Sequence, residues 1–386
     1  MIKLLLLTDF SSGFSRSLIR GVVEYAKKFG PWSFNKVPEY YRELYGEEGV
    51  YQLAKEWKAD AVIAQIKEID LDKIKNLGIP ILVQNFRERN PMVSNITGDY
   101  YQTGVMAANY FIRKGFKHFA FYGSSETVWS QERCNGFVDT IYNEPFEVNL
   151  FHAKATKRKD HWNYDPEELR DWLLSLPKPI AVFACDDSFA QHITDTCAIY
   201  KIEVPEEVSV LGVDNDDLIC STSNPPLSSI ALDVENGGYE VGKLIHRMVE
   251  KRLTGSFDVV IKPLDVIERA STDRFAVEDK YLMTVIRYIN ENIRNPITVE
   301  QLVERVPLSR RVLEKQFRHT LNISIYQYIL NRRVEMLAQK LITTTLPLAV
   351  AAEVCGFPDT KNLSRVFLKI KGTTPLQYRR LYYREK

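Results

Sequence analysis

The sequence predicts an α/β protein of two lobes, each built on a doubly wound parallel sheet, followed by an all-α domain. Three observations carry that prediction. Short apolar runs alternate with amphipathic stretches over the first ~270 residues, the pattern of strands and covering helices. From about Asp279 glycine becomes scarce, β-branched runs disappear, and apolar residues recur at three- and four-residue spacings. Charge divides at the same place: residues 278–386 hold 19 Lys and Arg against 10 Asp and Glu, while the rest of the chain carries a net charge of −8. A cationic tail on an acidic body suggests one part built for a polyanion and another for something else.

The chain has 386 residues, 45% hydrophobic and 26% charged, which suits two or three globular domains and excludes wholesale disorder. No apolar run approaches the ~20 residues of a membrane helix, and Ile2 to Leu7 reads as a first strand rather than a signal-peptide core, so a cytoplasmic protein without a membrane is expected. The five cysteines are widely spaced without Cys-x-x-Cys, and the six histidines show no ligand spacing, so neither a disulfide framework, a metal nor a cofactor is expected.

Taken in order, the expected strands are Lys3–Thr8, Ala61–Gln65, Ile79–Gln84, Phe119–Tyr122, Ala181–Cys185, Val208–Val213 and Ser228–Leu232. They are nearly continuous apolar runs, as strands covered on both faces tend to be. Helices are expected at Ser15–Phe29, Tyr100–Lys114, Ser130–Tyr142, Pro166–Leu174, Ser188–Tyr200 and Glu235–Arg252, and Val259–Ile267 is expected to end the second lobe. The reading divides the chain into a sensor at 1–270, a polar linker at 271–278 and a helical domain at 279–386.

Two segments of the helical domain superimpose at an offset of 50: Ser309-x3-Leu313-x3-Phe317 and Asp359-x3-Leu363-x3-Phe367. Each starts on a helix N-cap type and sets Leu and Phe four apart on one face. A short helix and turn precede each, with the Ala-rich face Ala349–Ala352 and Gly356 before the second, which gives helix-turn-helix units at about 298–318 and 347–368. Ser324–Thr343 reads as one long helix between them. The faces left outside carry Arg310, Arg311, Glu314, Lys315 and Arg318, then Thr360, Lys361, Ser364, Arg365 and Lys369, side chains suited to a major groove. This domain resembles the AraC/XylS-type DNA-binding domain. The resemblance rests on Ile297-Thr-Val-Glu-Gln-Leu302, Arg332-Arg333, Ala351-x2-Val-x-Gly-Phe357, Leu363-Ser-Arg-x-Phe367 and Gly372-Thr-Thr-Pro-Leu-Gln-Tyr-Arg379. It implies two recognition helices in successive major grooves of double-stranded DNA. Base contacts would fall to Arg311, Glu314, Lys315, Thr360, Lys361 and Arg365, with Pro307 and Pro358 as departures from the pattern.

The first 270 residues contain no Gly-x4-Gly-Lys-Ser/Thr, Gly-x-Gly-x-x-Gly, His-Glu-x-x-His or Gly-x-Ser-x-Gly, so no catalytic apparatus is expected. They do place acids where parallel strands should end: Asp9, Asp186-Asp187 and Asp214-Asn215-Asp216-Asp217. The carboxyl ends of such strands are where open α/β sheets bind ligands. Carboxylates there accept bonds from hydroxyls, Arg donates two, and an aromatic face covers sugar C–H groups. The region resembles the lac repressor and periplasmic sugar-binding (type I) superfamily through Asn95-Ile-Thr-Gly-Asp99, Arg133-x2-Gly-Phe137, Ala181-Val-Phe-Ala-Cys-Asp-Asp187, Pro205-x2-Val-Ser-Val-Leu-Gly-Val-Asp214 and Leu227-Ser-Ser-Ile230. The effector contacts implied are Asp99, Arg133, Asp186 and Asp214, with Phe14, Arg16, Asn215 and Trp129 as further candidates and Asp187 as a helix cap. In that superfamily's repressors a DNA-binding headpiece precedes the first strand; here the C-terminal domain is expected to take its role.

Together the two resemblances imply a sugar-responsive transcription regulator, with D-xylose or a related pentose as effector, DNA and RNA polymerase as partners and a homodimer as the working form. Two alternatives stay open: the same architecture answering another metabolite, and a carbohydrate-acting enzyme using Asp186 and Asp214 as paired carboxylates.

Overall fold

In a computed structural model of the chain, which describes residues 1–66, 75–85, 89, 91–153, 164–250, 253, 255–273, 279–321, 323–357 and 362–382, the apolar runs of the N-terminal part form two six-stranded sheets. The first sheet holds β1 (Ile2–Leu7), β2 (Trp32–Lys36), β3 (Ala61–Ile66), β4 (Ile81–Asn85), β5 (Ser94–Gly98) and β11 (Val259–Ile261), in the order β11-β5-β4-β3-β1-β2. The second holds β6 (Phe119–Gly123), β7 (Val148–His152), β8 (Ile180–Ala184), β9 (Val208–Val213), β10 (Ser228–Leu232) and β12 (Pro263–Ile267), in the order β12-β10-β9-β8-β6-β7. All pairings are parallel except β10 with β12. Every residue of β6, β8, β9 and β10 is buried, as strands sandwiched between helices require, and the serines among them, Ser209, Ser228 and Ser229, are buried with the apolar residues.

The helices of this part are α1 (Gly13–Phe29), α2 (Glu39–Trp57), α3 (Tyr100–Arg113), α4 (Val128–Tyr142), α5 (Pro166–Ser175), α6 (Asp187–Tyr200), α7 (Asp217–Thr222) and α8 (Val234–Val249). The chain passes between the lobes after β5, after β10 and between β11 and β12. These crossings are tied together: Asp99 N–H donates to the Ile261 carbonyl at 2.8 Å, and Asp233 N–H to that of Lys262 at 2.9 Å.

Three expectations are corrected. Val259–Ile267 does not simply end the second lobe; it breaks at Lys262, and β11 completes the first sheet while β12 completes the second. The polar residues Ser271 and Thr272, read as the start of a linker, are fully buried in a 3-10 turn, Ala270–Thr272. Strands β2, β5 and β7 and helices α2 and α7 are additions to the expected set.

Two compact units result: Met1–Tyr110 with His118–Asp273, and Phe111–Lys117 with Arg274–Lys386. The second contains α9 (Lys280–Glu291), α10 (Val299–Val303), α11 (Arg310–Leu321), α12 (Ile325–Thr343), α13 (Leu348–Val354), α14 (Leu363–Lys371) and α15 (Pro375–Tyr382). Its apolar stripes close into two cores, one around Leu302, Leu313, Phe317 and Tyr328, the other around Ala351, Ala352, Leu363, Phe367 and Tyr378, with α12 contributing to both. Gly356, at φ +85°, supplies the left-handed turn between α13 and the segment before α14, where a Cβ would stand 2.6 Å from the Ile293 carbonyl oxygen.

The duplication extends past the recognition helices. Phe317 meets Tyr328 edge-to-face at 5.5 Å, and Phe367 meets Tyr378 in the same way at 5.3 Å, again 50 residues apart. Ser324 caps α12 by accepting from Gln327 N–H, and Thr374 caps α15 by accepting from Gln377 N–H. Each unit is thus locked by the same aromatic pair and the same cap.

Candidate functional site

Arg133 lies at the carboxyl ends of the second sheet, on α4, and is 3% exposed. Helix α4 approaches α3 closely because glycines face each other: a Cβ on Gly104 would stand 2.1 Å from the Arg133 carbonyl oxygen, and one on Gly136 2.0 Å from that of Tyr101. The Arg133 guanidinium donates to the Cys185 carbonyl at the end of β8 and reaches the Asp214 carboxylate at 3.4 Å beyond β9. It sits over both the Tyr100 and Trp129 rings, 5.4 Å from each centroid. Its Nε has no acceptor although it is buried. A buried charged donor left unpaired costs about 1–3 kcal/mol or more, so this N–H is suited to an oxygen acceptor.

Two carboxyl groups flank the guanidinium. Burial, reinforced by the negative charge of Asp214, pushes Asp186 up to about 6. Burial raises Asp214 as well, against the opposing pull of Arg133. Asp214 and Asn215 hold φ values of +100° and +51°, unusual for residues with a Cβ. The result is a cation, two carboxyl groups and two aromatic faces converging at strand ends, the set of groups that binds hydroxylated ligands.

The cap expected of Asp187 is supplied by its neighbour. Asp186, not Asp187, caps α6, its Oδ1 accepting from Phe189 N–H at 2.8 Å. Asp187 is 2% exposed and accepts from Asp216 N–H at 2.8 Å, so it braces the β9–α7 loop; burial holds its carboxyl well above the usual range. Asp99 stands at the first interlobe crossing and accepts from Gln102 N–H at 3.3 Å as it opens α3. Phe14 lies half-buried in the first turn of α1. Arg16 donates to the carbonyls of Phe10 and Ser11 and reaches Asp216 at 3.6 Å, and Asn215 accepts from Arg269 at 2.8 Å.

Sequence reasoning missed four residues here. Arg89, from the loop before β5, makes a forked pair with Glu132 on α4 and lies 5.7 Å from the Tyr100 ring, so it joins the first lobe to the second beside Arg133. Tyr100 immediately follows Asp99 and reads in the sequence only as a helix start. Arg269 follows an apolar run at the edge of the sensor and carries no spacing of its own. Neither Arg89 nor Glu132 belongs to a recognisable spacing.

On the helical unit, Arg311, Glu314, Lys315 and Arg318 are exposed along α11 while Leu313 and Phe317 are fully buried on its opposite face. Arg310 is paired with Glu300 at 2.8 Å and with Glu314 at 3.0 Å. Ser364, Arg365 and Lys369 are exposed along α14. Pro358, Thr360 and Lys361 lie outside the described residues.

Comparison with known proteins gives a periplasmic binding protein-like domain over residues 108–272 and a helix-turn-helix domain over 302–381. The chain is 30% identical to the xylose operon regulatory protein of Escherichia coli K12, over 98% of this chain and 96% of that one. The chain belongs to the family of xylose operon regulatory proteins. The Haemophilus influenzae member is 27% identical over 98% of both chains. A solved structure described as a xylose-binding transcription activator matches with a TM-score of 0.63 at 28% identity, covering 99% of this chain and 98% of that one. In this family the chain is a DNA-binding transcription regulator: a periplasmic-binding-protein-like core joined to an AraC-type tandem helix-turn-helix domain. No described helix is long and apolar enough to cross a membrane.

Proposed function

We propose that this regulator senses D-xylose at the Arg133 cluster and answers it through the paired recognition helices. The observation that carries the reading is the buried Arg133 Nε without an acceptor, on a guanidinium that reaches Asp214 at 3.4 Å and whose charge acts on Asp186. Sugar hydroxyls complete that set: one oxygen accepts from Nε, and hydroxyl hydrogens are donated to Asp214 and to the Asp186 oxygen not engaged in the helix cap. Tyr100 and Trp129 supply faces for C–H groups, and Asp99 contributes at the crossing. The names of the relatives supply the choice of D-xylose over other sugars.

Ligand that contacts both lobes stabilises one arrangement of them by its differential affinity for that arrangement. Arg311, Glu314, Lys315 and Arg365, with Thr360 and Lys361, then read base edges in successive major grooves. The working form is a homodimer in the cytoplasm, it engages RNA polymerase, and it activates sugar-use genes. No catalytic step is assigned to Asp186 or Asp214.

A thermal-shift screen of pentoses and hexoses tests the effector. D-xylose should raise the melting temperature of the sensor unit at millimolar concentration while D-glucose does not. A shift produced by an unrelated metabolite and by no pentose, or conversion of the sugar to a product, would overturn the reading.

A further inference from the structure

Three consecutive side chains of the β9–α7 loop reach three different parts of the sensor. Asp214 meets Arg133 at 3.4 Å. Asp216, from the second lobe, accepts from Gly13 N–H of the first lobe at 2.9 Å. Between them, Asn215 accepts from the Arg269 guanidinium at 2.8 Å. The loop backbone is held as firmly: Asp214 N–H donates to Ile230 at 3.0 Å, Asn215 N–H to Ser229 Oγ at 2.9 Å and Asp216 N–H to Asp187 at 2.8 Å. With Asp214 and Asn215 both in the left-handed region, the loop persists because its partners over-determine it, and it cannot shift one side chain without the others.

Arg269 lies at the other end of this linkage, in the segment that leaves β12. Its guanidinium also donates to the Leu227 carbonyl at 2.8 Å, and its own N–H donates to Ser228 Oγ at 2.7 Å. The next residues are knitted into the same strands. Ser271 donates to the Val210 carbonyl at 2.7 Å and accepts from Ser228 N–H at 2.8 Å, and Thr272 Oγ1 lies 2.7 Å from Ser228 Oγ. All of this is buried or half-buried, and from Asp273 the chain runs on in sequence toward the helix-turn-helix domain.

We propose that the Asn215–Arg269 bond is the link that carries occupancy at Asp214 into the segment leading to the DNA-binding domain, which makes Arg269 a positioning residue for the regulatory response and not a ligand contact. The inference rests on the D-xylose reading above. Sugar bound to Asp214 re-sets the loop; Asn215 moves with it; Arg269, bonded to both the loop and the exit segment, transmits the change. Coupling of this kind is reciprocal, so sugar and DNA must alter each other's affinity by one common factor.

The test measures, on the full chain, the affinity for an enriched duplex with and without D-xylose, and the D-xylose affinity with and without that duplex. In the wild type the two ratios should agree at about five-fold or more. In Arg269→Gln the D-xylose affinity of the free protein should stay within about threefold while both ratios fall below about twofold. Arg269→Lys, which keeps one charged donor, should recover part of both ratios and serves in place of Arg269→Gln should that variant not fold. Ratios unchanged in both variants would overturn the link and leave the sugar reading intact. Loss of D-xylose binding in folded Arg269→Lys would also overturn it, since Arg269 would then belong to the pocket. A wild type that does not bind D-xylose would overturn the parent reading and the link together.

Discussion

Gly13 N–H, at the start of α1 in the first lobe, donates to the Asp216 carboxylate of the second lobe at 2.9 Å. Position 13 is glycine for a reason of space: a Cβ would stand 2.3 Å from Asp216 Oδ2 and 2.8 Å from its Cγ. Asp216 cannot retreat cheaply, because its other oxygen caps α7 through Leu218 and Ile219 N–H. Gly13→Ala should therefore disfavour the lobe arrangement seen here and weaken D-xylose binding by about tenfold, the equivalent of one charge-assisted hydrogen bond. Calorimetric titration of the variant checks this, and an unchanged Kd would show that the Gly13–Asp216 bond plays no part in closure.

Arg133 is the most exacting position in the cluster. Arg133→Met keeps most of the volume but removes the charge that offsets Asp214 and every donor offered to the ligand. The sugar-induced thermal shift should vanish, with affinity reduced by at least about 100-fold, while duplex binding without sugar is retained. A full thermal response in this variant would remove Arg133 from the site.

The pH dependence follows from Asp186, whose carboxyl is pushed up to about 6 by burial and by Asp214. Sugar hydroxyls that donate to a carboxylate favour its ionised form, so D-xylose affinity should rise several-fold from pH 5 to pH 7 with proton release on binding. In the unliganded protein the same shift has the opposite sense. The folded state holds the proton more tightly than the unfolded chain, so the stability Asp186 contributes is present below pH ~4 and is lost as pH rises through about 6. His192, lowered to about 4 by burial, works against it, adding stability as pH rises over nearly the same window. The Asp186 effect is therefore read from the difference between wild type and Asp186→Asn in melts from pH 4 to 7.5. The variant should gain relative stability as pH rises and lose the pH dependence of sugar binding; parallel curves would contradict the assignment.

Much of the fold was legible because burial on both faces writes itself as nearly continuous apolar runs, as in Ile180–Ala184 and Val208–Val213. The strands that escaped notice are chemically mixed. β2 and β7 lie at sheet edges, where one side needs no apolar cover, and β5 buries Ser94, Asn95 and Thr97 with their hydrogen bonds satisfied inside the protein, which no hydropathy pattern reveals. At the site, Asp186 and Asp214 were readable from their places at strand ends, and both, with Arg133, from the superfamily resemblance. Arg89 and Glu132 were not, because their pairing joins residues 43 apart that share no local periodicity. That the cap falls on Asp186 and not on Asp187 shows how little one residue of register means in sequence and how much it means at a helix start.

For the DNA-reading unit, the exposed Lys315 and Arg365 should each touch a phosphate or a base edge. Replacing either with Ala should cost about 1–3 kcal/mol of duplex affinity, and each phosphate no longer neutralised should lower the salt slope by about one. Phe317→Ala instead removes a fully buried ring and its partner for Tyr328 and should cost the fold about 3–5 kcal/mol. Fluorescence anisotropy at several salt concentrations separates the two effects, and an unaltered affinity together with an unaltered slope in the Lys315→Ala, Arg365→Ala double variant would exclude these side chains from the interface.

The measurement that bears most directly on the whole account is a crystal structure of the chain with D-xylose. The Arg133 site should hold the sugar between the lobes, with one oxygen within hydrogen-bonding distance of Arg133 Nε and hydroxyls on Asp186 and Asp214. Sugar bound elsewhere, with Arg133 Nε still lacking an acceptor, would contradict it.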